Sequence, residues 1–71
     1  MFYEVWAVDE DGHEELVGST ASRTDAQKMA HSALEDNEHF DNVWIGEENE
    51  QGDVAEIDRL TISESGSIIR L

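Results

Sequence analysis

From Phe2 to Val8 the chain alternates two sets of side chains, Phe2, Glu4, Trp6 and Val8 against Tyr3, Val5 and Ala7. A period of two in a stretch rich in aromatic and β-branched residues predicts a strand. Asp9-Glu10-Asp11-Gly12 carries the Asp-Gly turn signal, and a second strand is expected over Glu15 to Thr20, which closes a hairpin. The period then lengthens. Thr24 and Gln27 have capping-box spacing, and Ala26, Met29, Ala30, Ala33 and Leu34 recur at helical intervals. At about 100° per residue they span an arc of about 140°, leaving Gln27, Lys28, His31, Ser32, Glu35 and Asp36 to solvent, with Asn37 as the expected C-cap.

Alternation returns after the helix. A third strand is expected over Asn42 to Glu48, a turn over Asn49 to Asp53, and a fourth strand over Val54 to Ser63. Ala55 and Ile57 are out of phase with Leu60 and Ile62, which predicts a bulge near Asp58-Arg59. Ser65-Gly66-Ser67 forms a further turn before a short strand over Ile68 to Leu71. The order ββαββ(β) implies a two-layer α+β domain, an antiparallel sheet with one amphipathic helix on one face, in a single unit over residues 1–71. Tyr3, Val5, Ala7, Val43 and Ile45 then face the helix. Trp6 and Trp44 fall on the uncovered side with Glu4, Gly46 and Glu48, unless the rings are buried in the core or shielded by Arg70 or the last strand.

Composition narrows the use of this domain. The chain has no Cys, so disulfide staples and thiolate metal sites are excluded and a reducing, cytoplasmic setting is expected. No apolar run approaches the roughly 20 residues that span a bilayer, so no membrane partner is expected. Charge is the dominant feature: eighteen Asp and Glu against four Lys and Arg give a formal −14. Direct binding to nucleic acid is excluded, because four scattered cations cannot neutralise a phosphate track.

The acids are clustered. Asp9, Glu10, Asp11, Glu14 and Glu15 crowd the first turn, and Glu35, Asp36, Glu38 and Asp41 follow the end of the helix. In a ββα path these two groups share one end of the domain, where acids oppose the negative pole of the helix dipole. A carboxylate surface of this kind can stand in for phosphates. The expected function is therefore a non-enzymatic inhibitor or modulator, an acidic DNA mimic that occupies the basic groove of a host nucleic-acid-binding protein and is encoded by a phage or mobile element. The alternative is a small domain solvated for a halophilic cytoplasm. Trp6, Trp44, Glu47, Glu48 and Glu50 form a candidate second contact, or the surface of a homodimer.

Other chemistry has little support. The acidic first turn has Gly12 at the fourth position, where an EF-hand loop has Gly at the sixth. His13, His31 and His39 match no zinc spacing, so neither a metal nor another cofactor is expected. The absence of a nucleophile elbow, phosphate loop or HExxH motif argues against an enzyme. The hairpin followed by a helix at Thr24-Asp25-Ala26 resembles in outline the small sheet-and-helix domains with which phage integrases bind DNA arm sites. Those sheets are basic, whereas this chain is acidic.

Overall fold

A computed structural model describes residues 2–36 and 39–71; the Asn37 cap and Glu38 lie outside them. The chain runs β1 (Phe2–Asp9), β2 (Glu14–Thr20), α1 (Arg23–Asp36), β3 (Phe40–Glu48), β4 (Val54–Ile62) and β5 (Ile68–Arg70). It is a mixed α+β structure with one helix and a five-stranded sheet ordered β2-β1-β3-β4-β5, every neighbouring pair antiparallel. No helix among the described residues is long and apolar enough to cross a membrane.

The alternation in the sequence becomes the core. Val5 and Ala7 of β1, Val43 and Ile45 of β3 and Leu60 of β4 join Ala26, Ala30 and Leu34 of α1 in one buried cluster. Tyr3, Met29, Ala33, Phe40, Ile57 and Ile68 pack around it. Ala26 and Ala30 are fully buried, and their small side chains let the helix backbone approach the sheet closely. The helix begins earlier than the Thr24 capping box implies. Ser22 is the N-cap: its Oγ accepts the Asp25 N–H at 3.2 Å, and its carbonyl accepts the Ala26 N–H at 3.0 Å. Ser22 and Asp25 have the same spacing as Thr24 and Gln27, but only the Ser22 half of a box forms, because the Ser22 N–H donates to Thr20 Oγ1 at 3.2 Å.

Three bulges adjust the register. Val5 pairs with Gly18 but Trp6 with Leu16, leaving Val17 extra. Val8 pairs with Asn42 but Asp9 with Phe40, leaving Asp41 extra. Ile45 pairs with Asp58 but Gly46 with Glu56, so the β4 bulge falls on Ile57, one residue before the expected position.

The three hairpin loops share one design. In each, the N–H of the first residue bonds the carbonyl of the fifth and the N–H of the fourth, a glycine, bonds the carbonyl of the first: Asp9 to His13, Asn49 to Asp53 and Ser63 to Ser67. The first side chain accepts the N–H of the fifth residue in all three loops, and in the first two also that of the third. Gly12, Gly52 and Gly66 hold φ of 87°, 86° and 88°, which other residues rarely adopt. The second position is Glu each time, so Glu10, Glu50 and Glu64 stand at the tips.

Candidate functional site

The topology brings the first turn and the end of the helix to the same end of the molecule. β3 begins there: Phe40 pairs with Asp9, and His39 lines a shallow cavity with Asp9, Glu10 and Asp11. Glu15 at the start of β2 and Asp36 at the end of α1 line one open groove with Leu16, Val17, Lys28, Met29, Ser32, Ala33 and Phe40, so the groove holds a cation as well as acids. The β4–β5 loop also lies at this end, since Thr61 pairs with Asn42, and it adds Glu64. The sequence reading missed Glu64 because its position depends on the direction of β4.

The candidate acids share an end without forming a single cluster. Glu10, Asp11, Glu15, Glu35, Asp36 and Asp41 are exposed, and Glu35 lies along the outer helix surface beside His31 and Gln27. The last turn of α1 holds no basic residue, so Glu35 and Asp36 stand against the negative end of the helix dipole. Glu14 faces elsewhere, as its bond to Trp44 shows. At the opposite end Glu48 pairs with Phe2 and lines a cavity with Asn49 and Glu50. Glu47, one residue earlier, is on the other side of the sheet from Trp44 and Glu48.

Asp9 differs from its neighbours because its carboxylate organises the turn. Oδ1 accepts the N–H groups of Asp11 and His13, both at 2.9 Å, and Oδ2 lies 3.5 Å from His13 Nδ1. The His13 N–H is the largest cause holding the Asp9 carboxyl below its ordinary value of 3.8, with the Asp11 N–H and the His13 ring adding to it. A depressed carboxyl contributes stability above its unfolded value, and that contribution is lost as pH falls through the folded value. The Asp11 and His13 amide resonances are therefore expected to keep their native shifts until the pH is below 3.8, which an NMR titration checks. Asp9, Asp11 and His13 each offer a ligand atom within 4.8 Å of the others. The Asp9 bonds are those of a self-satisfied turn, which accounts for the grouping without an ion.

The uncovered face of the sheet presents an aromatic centre. Trp6 and Trp44 are directly paired and stack with centroids 5.9 Å apart and planes 11° from parallel. Each ring is half-buried and each N–H meets a carboxylate, Trp6 Nε1 to Glu4 Oε1 at 3.3 Å and Trp44 Nε1 to Glu14 Oε2 at 2.7 Å. Arg59 stands opposite Trp44 in β4. It donates Nε and Nη2 to the two oxygens of Glu56 at 3.1 and 2.6 Å, and Nη1 to Asn42 Oδ1 at 2.8 Å. The Glu56 hydrogen bond is the largest cause raising the Arg59 pKa, with the charges of Glu56 and Glu14 adding to it, and the same bond is the largest cause lowering that of Glu56.

Arg70 is not over the rings, where a shield would stand. It pairs with Leu60 at the edge of the helix-facing side and binds the buried carboxylate of Asp58. The Ile57 bulge is the reason: it turns Asp58 toward Ile45 and places Arg59 beside Trp44.

Gly46 also supports the aromatic centre. A Cβ at this position would collide with Val54 Cγ1 and come within 2.9 Å of Trp44 Cζ3, so the bare backbone gives the indole its seat. Gly46→Ala is expected to cost about 1–2 kcal/mol through overpacking. Reduced near-ultraviolet circular dichroism, as the indoles separate, is the accompanying signal. A glycine inside a strand two residues from a tryptophan was the available sequence clue.

Compared with known protein families, curated proteins and solved structures, the chain matches none.

Proposed function

We propose that this chain is a non-enzymatic acidic decoy that binds the basic groove of a nucleic-acid-binding protein in the cytoplasm and displaces its nucleic acid. One observation carries the reading: the pairing of Asp9 with Phe40 brings the first-turn acids to the start of β3, on an end where Glu35 and Asp36 oppose the helix dipole. Carboxylates held there at a local cost to the fold are suited to a partner that supplies the missing cations. Encoding by a phage or mobile element belongs to the same proposal, since a decoy acts on a host protein.

Capture from nuclease-treated lysate at low salt tests the reading. The expected result is recovery of a DNA- or RNA-binding protein that is released steeply as salt rises. Recovery of none would reject it.

A second reading, solvation in a halophilic cytoplasm, is favoured by the acids at the opposite end, Glu47, Glu48, Glu50 and Asp53, and by the single Lys. Folding against salt separates the two. At ~0.15 M ionic strength, where the Debye length is about 8 Å, a decoy is folded, whereas a halophilic domain needs molar salt.

A further inference from the structure

The uncovered sheet face combines apolar surface with carboxylates in alternation. By register Phe2, Val8 and Leu16 lie on it with the tryptophans, and Val54 and Ile69 extend it across β4 and β5. Phe2, Leu16 and Ile69 are 56%, 47% and 45% exposed. Glu4, Glu14, Glu48 and Glu56 are interleaved among them, paired with Gly46, Val8, Phe2 and Gly46 respectively.

Arg59, on the strand position opposite Trp44, illustrates how this face holds a guanidinium: with a carboxylate in bidentate contact and an amide oxygen as third acceptor. Glu4 and Glu14 place carboxylates next to the indoles themselves. Each gives one oxygen to an indole N–H and keeps the second for another donor; among the described residues no Lys or Arg is in ion-pair contact with either, although Arg59 is near enough to feel the charge of Glu14. Charge decides between occupants. A second copy of the chain would bring the same carboxylates against themselves at −14 per chain, whereas a cationic partner supplies what Glu4 and Glu14 lack.

We propose that this face docks a cationic protein surface that presents arginine among apolar side chains, with guanidinium groups stacking on the Trp6–Trp44 pair and bonding Glu4 and Glu14. The inference rests on the reading of the chain as an acidic protein binder and adds a second contact, apart from the acidic end, with a stated side-chain preference.

Both tryptophans of the chain are on this face, so their emission reports on it directly. The full chain is titrated with a peptide alternating Arg with Leu, and with the same peptide carrying citrulline for Arg. A saturable emission change is expected with the Arg peptide and none with the citrulline peptide. Glu4→Gln combined with Glu14→Gln keeps an acceptor for each indole and is expected to weaken the Arg peptide about tenfold or more.

Binding without an emission change, or affinity unaltered by the two Gln substitutions, would overturn the proposal. So would a dimer in sedimentation that buries the rings, since the occupant would then be a second copy. If the emission response fails while a basic nucleic-acid-binding protein is still captured from lysate, this contact is rejected and the decoy reading stands. If nothing basic is captured, the decoy reading falls, and the peptide titration still judges the face.

Discussion

Reversing Glu10, Glu15, Glu35 and Asp36 to Lys together is expected to weaken a basic nucleic-acid-binding partner by on the order of a hundredfold or more and, at the same time, to raise the melting temperature. The two effects have different origins. Exposed charge pairs contribute ~0.2–1 kcal/mol each, so losing four and replacing them with repulsion removes several kcal/mol of association. Within the folded chain the same four acids are a liability. All are exposed on a chain with a large excess of acids, where Lys28 is the cation that shares their groove, and Glu35 and Asp36 sit in a last helical turn that has no basic residue. Lysine there complements the dipole at ~0.3–1 kcal/mol per site. Affinity measured by calorimetry and stability by thermal melting should therefore move in opposite directions. A loss of both would mark the acids as structural, and unchanged affinity would remove the acidic end from the interface.

Much of this arrangement was legible in the sequence because period and turn chemistry are local. Alternation placed Val5, Ala7, Val43 and Ile45 on one side and the tryptophans on the other, and the helical stripe named the residues that pack. What escaped depends on one-residue choices that the pattern leaves nearly degenerate. Ser22 and Thr24 both stand three residues before a side chain that could complete a box, and which one caps is settled by where the backbone turns after β2. Moving the β4 bulge from Asp58-Arg59 to Ile57 exchanges the faces of the two residues that follow, burying Asp58 and setting Arg59 beside Trp44. The common plan of the three loops was hidden by their different first residues, Asp9, Asn49 and Ser63, which do one job with three acceptors. For the candidate site, the shared end followed from strand direction. The division of Glu14 from Glu15 followed only from register, which turns one toward Trp44 and the other into the groove with Asp36.

Arg70→Ala is expected to cost about 3 kcal/mol, a large part of the stability available to a chain of this size. Asp58 is 8% exposed and is the buried charged residue among those described. Its Oδ1 lies 2.9 Å from Arg70 Nε and accepts the Arg59 N–H at 3.1 Å, while Oδ2 accepts from Arg70 Nη2 at 2.9 Å. Removing the guanidinium leaves a carboxylate beside Ile45 without its counter-charge, the costly direction in which to break a buried pair. The Arg70 side chain is itself 66% exposed, so water reaches the vacated position and the cost falls at the low end of the usual range. Arg70→Lys should recover only part of it, because an ammonium cannot make the bidentate contact. Replacing Asp58 and Arg70 together by Leu should return stability to within about 1 kcal/mol of the starting chain, since apolar pairs of similar volume substitute well for buried ions. Urea melts of the three variants measure this directly, and an Arg70→Ala cost below about 0.5 kcal/mol would show that Asp58 is solvated without its partner. The same melts bear on the binding face. Asp58 held down toward Arg70 fixes the neighbouring Arg59 on the side of Trp44, so loss of Arg70 should also alter the tryptophan emission, although Arg70 stands on the opposite side of the sheet from both rings.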